Sequence, residues 1–148
     1  MPSKRLELNL SVQHASRHAA SPLRPQVQRW LRAAQESPAT VSVRFVAEDE
    51  GRALNRDYRK KDYATNVLSF IYESAPIVVG DLVLCLPVVL REAERQGKAP
   101  EAHFAHLIVH GMLHLQGYEH ETGAADAARM EAREREILAA LGYPDPYN

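Results

Sequence analysis

Hydrophobic and polar residues alternate in two stretches of the chain, and two further stretches are almost continuously apolar. A period of two places successive side chains on opposite faces, which is typical of a half-buried β-strand. Residues 6–12 and 41–45 alternate in this way, while residues 67–72 and 77–86 are apolar runs. The short loop between the two apolar runs predicts an antiparallel pair of strands. Gly80-Asp81, inside the last run, predicts a bulge or a close approach of another group.

Five segments carry the signals of helices. The first is predicted to begin with Ser21 as N-cap and Pro22 in the first turn, and to end at Pro38. The second is predicted to begin with a cap at Asp49 and to run to about Lys60. Proline is tolerated only in the first turn of a helix, so the next two helices are predicted to start at residues 87 and 100.

The last two helices differ in character. The helix from residue 100 has apolar residues on most of its circumference, which predicts a buried central helix. Thr122 is predicted to cap the fifth helix, over residues 124–140, and its charged residues predict a solvated face of mixed charge: Arg129, Glu131, Arg133, Glu134, Arg135 and Glu136. Together the elements predict an α+β fold. We expect a single domain over residues 1–148, with a mixed sheet of about four strands packed against about five helices.

The most informative chemistry lies in residues 110–120, which read His-Gly-Met-Leu-His-Leu-Gln-Gly-Tyr-Glu-His. His110 and His114 are one helical turn apart, so their rings share one face and can reach the same ion. Gly117 can adopt positive φ and end the helix, and the turn then lets His120 approach from the side. Three neutral imidazoles and one open position are typical of catalytic zinc. We therefore predict that His110, His114 and His120 bind Zn²⁺; a hydrogen-bonded cluster without metal is the alternative.

The spacing matches the metzincin protease pattern His-Glu-x-x-His-x-x-Gly-x-x-His with one difference. The second position is Gly111, where those proteases have the glutamate that takes the proton from zinc-bound water. Peptide hydrolysis by that mechanism would lack its base. The motif therefore predicts a metal site but argues against a peptidase.

Two other groups of polar residues have alternative interpretations. His103 and His106 lie on the same helical face as the first two histidines. We expect them to hydrogen-bond elsewhere in the core or to lie at the surface, and the alternative is a group near the metal. The second helix carries a basic run of either solvated or phosphate-binding residues: Arg52, Arg56, Arg59, Lys60 and Lys61.

Composition sets the broad class. The chain has 148 residues, of which 45% are hydrophobic and 25% charged, which is ordinary for a soluble globular protein. The formal net charge is −1, so an anionic partner must meet a local basic patch. The chain has one cysteine, Cys85, which excludes an internal disulfide. With no signal peptide or membrane-spanning run in the sequence, we expect a cytoplasmic protein.

Four blocks of sequence resemble the YbeY family of bacterial endoribonucleases, which are rRNA maturation factors. Residues 110–120 resemble the histidine motif of that family, and residues 54–70, Leu-Asn-Arg-Asp-Tyr-Arg-Lys-Lys-Asp-Tyr-Ala-Thr-Asn-Val-Leu-Ser-Phe, resemble its second block. Gly80-Asp81-Leu82 and Leu141-Gly142-Tyr143 are similar to two shorter blocks. The resemblance extends from about residue 41 to the end of the chain.

The resemblance implies a function. His110, His114 and His120 would be the zinc ligands, and Arg59 would be the basic residue that lines the cleft and is needed for catalysis. The family implies cleavage of single-stranded RNA, maturation of the 16S rRNA 3′ end and a part in ribosome quality control. It also implies partners, namely the 16S rRNA precursor, the small ribosomal subunit and its assembly factors.

The residues themselves leave the identity of the general base and the function of the protein open. The general base could be Glu119, a histidine near the metal or a metal-bound hydroxide. The first rival function is metal-dependent hydrolysis of another substrate, such as a peptide. The second is a ribosome-assembly binding factor whose zinc is mainly structural, which a fourth protein ligand, such as Cys85 or a fourth histidine, would favour.

Overall fold

The computed structural model of the protein describes residues 6–119 and 122–147. Within them lie four strands and five helices. In chain order these are β1 (Leu8–His14), α1 (Arg24–Ala34), β2 (Ala39–Val46), α2 (Glu48–Arg59), β3 (Val67–Glu73), β4 (Val78–Cys85), α3 (Leu86–Arg95), α4 (Pro100–Leu115) and α5 (Ala124–Leu141).

The four strands form one mixed sheet with the order β1-β2-β4-β3. β1, β2 and β4 are parallel to one another, and β3 pairs with β4 in the antiparallel direction. The antiparallel pair predicted from the short loop is therefore confirmed. β3 is an edge strand, because within this sheet it pairs only with β4.

Helices cover both faces of the sheet because its strands alternate apolar side chains between the two sides. α1, α4 and α5 pack on one face over the main core, which includes Trp30, Phe45, Phe104 and Leu113. α2 lies on the other face over a smaller apolar cluster that contains Leu68 and Cys85. The predicted α+β fold is confirmed, as a single domain.

α4 is the central helix that its sequence predicts. Ten of its 16 residues are buried, so only a narrow strip of its surface remains accessible. Gly111 is one of the buried ten, and a Cβ there would lie 2.7 Å from Cδ2 of Leu82 on β4. The glycine therefore lets α4 approach the sheet closely. No helix in the described ranges is long and apolar enough to cross a membrane.

Three predicted helix caps were wrong. The N-cap of α1 is Leu23, whose N–H donates to Oε1 of Gln26 at 3.0 Å, while Oγ of Ser21 instead accepts from the N–H of His18. Ala47 replaces the predicted Asp49 at the start of α2. Gly123 caps α5, because the hydroxyl of the predicted cap, Thr122, donates to Asp126 instead. Cap positions depend on which acceptor each side chain reaches, and the sequence alone does not decide this.

The irregularity predicted at Gly80-Asp81 lies on the partner strand. The register shifts between Ile71 and Glu73 of β3, opposite Gly80. The predicted close approach is confirmed, since a Cβ on Gly80 would lie 2.6 Å from Cδ2 of Leu115 and 2.7 Å from the carbonyl oxygen of Phe70. Gly80 therefore lets the end of α4 pack against the β3–β4 pair.

Candidate active site

His110 and His114 lie on the C-terminal half of α4, on its one accessible strip. Their side chains are 23% and 27% exposed, whereas the residues around them on the helix are mostly buried. Both rings line the same cavity, as their spacing of four residues predicts. The cavity has a volume of about 350 Å³ and opens beside β3.

Hydrogen bonds set the tautomer of both rings. Nδ1 of His114 lies 3.0 Å from the carbonyl oxygen of Tyr118, which can only accept, so this nitrogen carries the proton. Nδ1 of His110 lies 2.6 Å from Oε1 of Glu134, an ionised carboxylate, so it also donates. Neutral rings with a protonated Nδ1 have their lone pair on Nε2. A histidine that binds a metal through one nitrogen and donates from the other is the usual arrangement, so the pair fits a zinc ion.

Glu134 is the functional candidate that the sequence interpretation missed. It was predicted to lie on the solvated face of α5, but its side chain is fully buried. Burial favours a raised pKa, yet the hydrogen bonds from His106 and His110 outweigh burial and lower the pKa to about 2. A signal was present, because Met130, Glu134 and Leu138 recur every four residues and therefore share the buried stripe of the helix.

The two other histidines of α4 have different surroundings. His103 is buried, and its Nε2 lies 2.9 Å from Oε1 of Glu92, which is the core hydrogen bond that we expected. His106 instead lies 3.5 Å from Oε1 of Glu134, the carboxylate that also contacts His110. His106 thus belongs to the surroundings of the candidate metal site, as the alternative interpretation proposed.

Arg59 reaches the same cavity from the opposite face of the sheet. It is the last residue of α2, and Lys60 ends the helix with φ of 61°, so the chain turns there towards β3. The cavity is lined by Arg59, His110 and His114 together with residues 65–70. In the described part of the chain, the guanidinium of Arg59 forms no ion pair or hydrogen bond. The structure thus brings together three of the four predicted site residues.

Residues at the start of the edge strand β3 also line the cavity. Asn66 is held on two sides: its Oδ1 accepts from the N–H of Val67 at 2.7 Å, and its Nδ2 donates to Oε1 of Glu92 at 3.1 Å. Phe70 lies further along β3, and Tyr58 of α2 packs edge-to-face on it with ring centroids 5.1 Å apart. Polar and aromatic groups therefore follow one another along the open edge of the sheet.

The fourth predicted site residue, His120, lies outside the described residues. The turn that leads to it is described, and Gly117 has φ of 101°, as predicted for the end of this helix. Glu119, a candidate general base, has Oε2 4.0 Å from Nδ1 of His114. Among the residues that the structure describes, no three His, Cys, Asp or Glu side chains form a metal-binding group. The three-histidine site therefore stays a prediction.

Cys85 does not lie with the histidines. It is buried in the small apolar cluster on the α2 face of the sheet, whereas α4 packs on the other face. Its Sγ is 3.8 Å from the carbonyl oxygen of Ala47, and burial raises the pKa of the thiol. A neutral thiol in apolar surroundings is a poor metal ligand. This placement argues against Cys85 as the fourth ligand of a closed, structural zinc site.

Comparison with known proteins identifies the family. The family model described as Endoribonuclease YbeY matches residues 9–142. A protein of that name from Methylibium petroleiphilum is 61% identical over 142 residues, which cover 96% of this chain and 94% of the relative. A second, from Polaromonas naphthalenivorans, is 57% identical over 145 residues and covers 95% and 96%. A solution structure of a Thermotoga maritima protein has the same fold, with a TM-score of 0.58 at 22% identity and coverage of 94% and 99%. The chain therefore belongs to the endoribonuclease YbeY family.

Proposed function

We propose that this protein is a zinc-dependent endoribonuclease that cleaves single-stranded RNA, and that it acts in 16S rRNA 3′-end maturation and ribosome quality control. The observation that carries the proposal is the shared cavity of Arg59, His110 and His114. An arginine and two histidines beside an open strand edge suit a phosphodiester substrate. The close relatives named Endoribonuclease YbeY support RNA as that substrate.

His110, His114 and His120 would hold the zinc ion. Neutral ligands leave the ion its full charge, so zinc lowers the pKa of water and polarises a phosphoryl oxygen when it is bound. The two described histidines are prepared for this role by their Nδ1 hydrogen bonds to Glu134 and to the carbonyl of Tyr118.

Arg59 would hold the scissile phosphate. A guanidinium can donate two parallel hydrogen bonds to a phosphate and stabilise the negative charge that develops during cleavage. The guanidinium has no acidic partner within the described residues, so no existing ion pair has to break when RNA binds. Glu119 stays one candidate for the general base, although its Oε2 lies 4.0 Å from Nδ1 of His114, on the side of the ring opposite to Nε2.

Cleavage by variants with matched charge tests the proposal. Arg59→Glu should retain folding and zinc but lose at least about a hundredfold in the rate of cleavage of single-stranded RNA, because about 3 kcal/mol of transition-state stabilisation is lost. Lys61→Glu makes the same change in net charge two residues away, outside the residues that line the cavity. At a saturating concentration of RNA it should cost much less, because Lys61 can contact the RNA backbone but does not line the cavity. Equal losses in the two variants would show that Arg59 supplies only general charge.

Zinc analysis tests the metal assignment separately. The wild-type protein should contain about one zinc per chain and His114→Ala should contain far less, because one of three ligands is removed. Full zinc occupancy in His114→Ala would remove this ligand assignment.

The specificity for single strands is tested by comparing the cleavage rate of a 16S rRNA precursor fragment with that of its fully duplexed form. Binding of the small ribosomal subunit by a protein that never cleaves RNA would instead favour the assembly-factor function.

A further inference from the structure

A buried carboxylate connects the candidate metal site to the C-terminal segment. Glu134 of α5 is fully buried, and an unpaired buried carboxylate is strongly unfavourable. Its Oε1 accepts from Nδ1 of His110 at 2.6 Å, and its Oε2 accepts from the hydroxyl of Tyr147 at 2.5 Å. Nε2 of His106 makes a longer contact of 3.5 Å with Oε1. The carboxylate is therefore satisfied by one ring of the site and by groups behind it.

Tyr147 is itself fixed from several sides. The guanidinium of Arg135 lies over its ring, 5.1 Å from the centroid, and its N–H donates to Oδ1 of Asp145 at 2.9 Å. Its ring packs edge-to-face on His106, with centroids 5.4 Å apart. Nζ of Lys98 donates to the carbonyl oxygen of Pro146 at 2.8 Å, which ties the segment to the connection between α3 and α4. The tyrosine hydroxyl is thus held in one position against Glu134.

We propose that Glu134 and Tyr147 are positioning residues: Glu134 fixes the tautomer and orientation of His110 so that Nε2 is presented to the metal, and Tyr147 fixes Glu134. The two nitrogens of an imidazole point away from each other, so a ring held at Nδ1 by a buried group offers Nε2 in the opposite direction. Partners behind metal ligands typically change metal affinity ten- to hundredfold when they are removed. This inference rests on the proposed metal role of His110.

The competing interpretation is that Glu134 serves only the stability of the core. Thermal stability alone cannot separate the two, because loss of a buried hydrogen-bonded carboxylate destabilises the protein in either case. Zinc affinity and the tautomer of His110 do separate them. A purely structural role would lower the melting temperature and leave both of these unchanged in the folded protein.

The first experiment measures zinc affinity by competition with a chelator. Glu134→Leu removes both acceptors, and Glu134→Gln keeps one acceptor oxygen without the charge. We expect zinc affinity to fall in the order wild type, Glu134→Gln, Glu134→Leu, with at least a tenfold loss in the last. Glu136→Gln changes an exposed carboxylate on the same helix and should bind zinc as the wild type does. Wild-type zinc affinity in folded Glu134→Leu would overturn the proposal.

Tyr147→Phe keeps the test decisive if the Glu134 variants do not fold. It removes one hydroxyl that donates to a carboxylate, and Tyr143→Phe is its matched control, because the Tyr143 hydroxyl donates to Oε2 of Glu101 at 3.0 Å. Tyr147→Phe should weaken zinc binding severalfold, whereas Tyr143→Phe should change only the melting temperature. Equal zinc affinity in the two tyrosine variants would contradict the role of Tyr147.

Nitrogen NMR of histidine-labelled, metal-free protein tests the positioning role without zinc. We expect the Nδ1–H tautomer for His110 in the wild type and its partial loss in Tyr147→Phe. An unchanged tautomer there, together with unchanged zinc affinity, would reject the inference. If the wild type binds no zinc but the tautomer responds, the proposed function fails while the positioning of His110 by Glu134 stands.

Discussion

Gly117 determines the direction of the backbone after α4, although it has no side chain that could bind a ligand. Its φ is 101°, a conformation that a β-branched residue adopts only under strain, and a Cβ there would meet no atom within 4 Å. The cost of Gly117→Val is therefore confined to the backbone, about 1–3 kcal/mol. We expect this variant to relieve the strain by opening the turn, to displace the following residues and so to bind zinc more weakly. Chelator competition measures the effect.

Gly97 provides the matched control for this prediction. It follows α3 with φ of 66° and also has open space around its Cβ position. Gly97→Val should therefore lower the melting temperature by a similar amount while zinc affinity stays that of the wild type. Unchanged zinc affinity in Gly117→Val would show that the turn tolerates a side chain.

His103 should make the stability of the fold sensitive to acid. Burial lowers its pKa below the ordinary 6.5, and this effect outweighs its hydrogen bond to Glu92; the nearby charges of His106 and Lys98 lower the pKa further. The unfolded chain then binds a proton at this site more readily than the folded chain. The stability from the neutral ring is present above about pH 6.5 and is lost as pH falls towards the lower, folded pKa. The loss is at most about 1.4 kcal/mol per pH unit.

The change is measured by urea unfolding of metal-free protein at pH 7.5 and pH 5.5. His103→Gln is the control, because an amide can donate to Glu92 but does not titrate in this range. The difference in stability between the two pH values should be smaller in His103→Gln than in the wild type. Equal differences would mean that His103 does not contribute to the acid sensitivity.

At the scale of helices and strands, the close packing of α4 on the sheet depends on Gly111. A Cβ there would lie 2.7 Å from Cδ2 of Leu82, a side chain with no exposed surface. Gly111→Ala should cost about 1–3 kcal/mol, the usual cost of overpacking a core. Gly111→Glu, which restores the metzincin motif, should unfold the protein rather than create a peptidase, because the position faces β4. Thermal melting and a peptidase assay test the two statements.

Leu82→Ala provides the matched test of this packing. Alone it leaves a cavity and should cost about 2–5 kcal/mol. In Gly111→Ala/Leu82→Ala the new methyl group occupies part of that cavity, so the double variant should lose less stability than the sum of the single variants. Strict additivity would show that the two residues are not coupled.

The elements that sequence predicted well are those whose pattern reports burial directly. The alternation in β1 and β2, the apolar runs of β3 and β4 and the apolar circumference of α4 all depend on which side chains leave water. The wrong caps depend on single hydrogen bonds, such as that of Thr122 to Asp126, and pattern does not contain them. Arg59 and the two histidines come from elements far apart in sequence, so only the blocks of family resemblance placed them together.

Glu134 shows why the sequence pattern did not predict the remaining residues of the site. Its position on α5 follows the apolar stripe, but it is one of six charged residues that together predicted a solvated face: Arg129, Glu131, Arg133, Glu134, Arg135 and Glu136. A buried carboxylate is stable only with partners, and these come from α4 and from Tyr147. The partners are long-range contacts, which a single sequence does not reveal.

At the scale of the whole molecule, the candidate site lies where the two layers of helices meet the open edge of the sheet. α2 brings Arg59 to this edge from one face, and α4 brings His110 and His114 from the other. The edge strand β3 runs between them, which suits an extended single strand better than a rigid duplex. Exposed Tyr58, packed on Phe70, provides a ring on which a base can stack beyond the cavity.

The charge of the whole molecule predicts how salt affects RNA binding. The net charge is −1, so attraction to RNA must come from local cations. Two arginines of α2 are paired with acids, Arg52 with Asp62 and Arg56 with Asp57. Three neighbouring cations form no ion pair within the described residues: Arg59, Lys60 and Lys61. If each contacts one phosphate, the slope of log affinity against log salt is about −2, since a single strand contributes about −0.7 per contact.

Fluorescence anisotropy with a labelled single-stranded RNA measures this slope, using His114→Ala to prevent cleavage. Raising the salt from about 50 to about 200 mM should weaken binding about twentyfold. Adding Lys61→Ala should make the slope shallower by about 0.7, because one phosphate contact is lost. Adding Arg17→Ala, an exposed cation outside α2 and this cavity, should leave it unchanged. A slope near zero would show that these three cations do not contact the RNA backbone, and an equal effect of Lys61→Ala and Arg17→Ala would show that the basic end of α2 is not the binding surface.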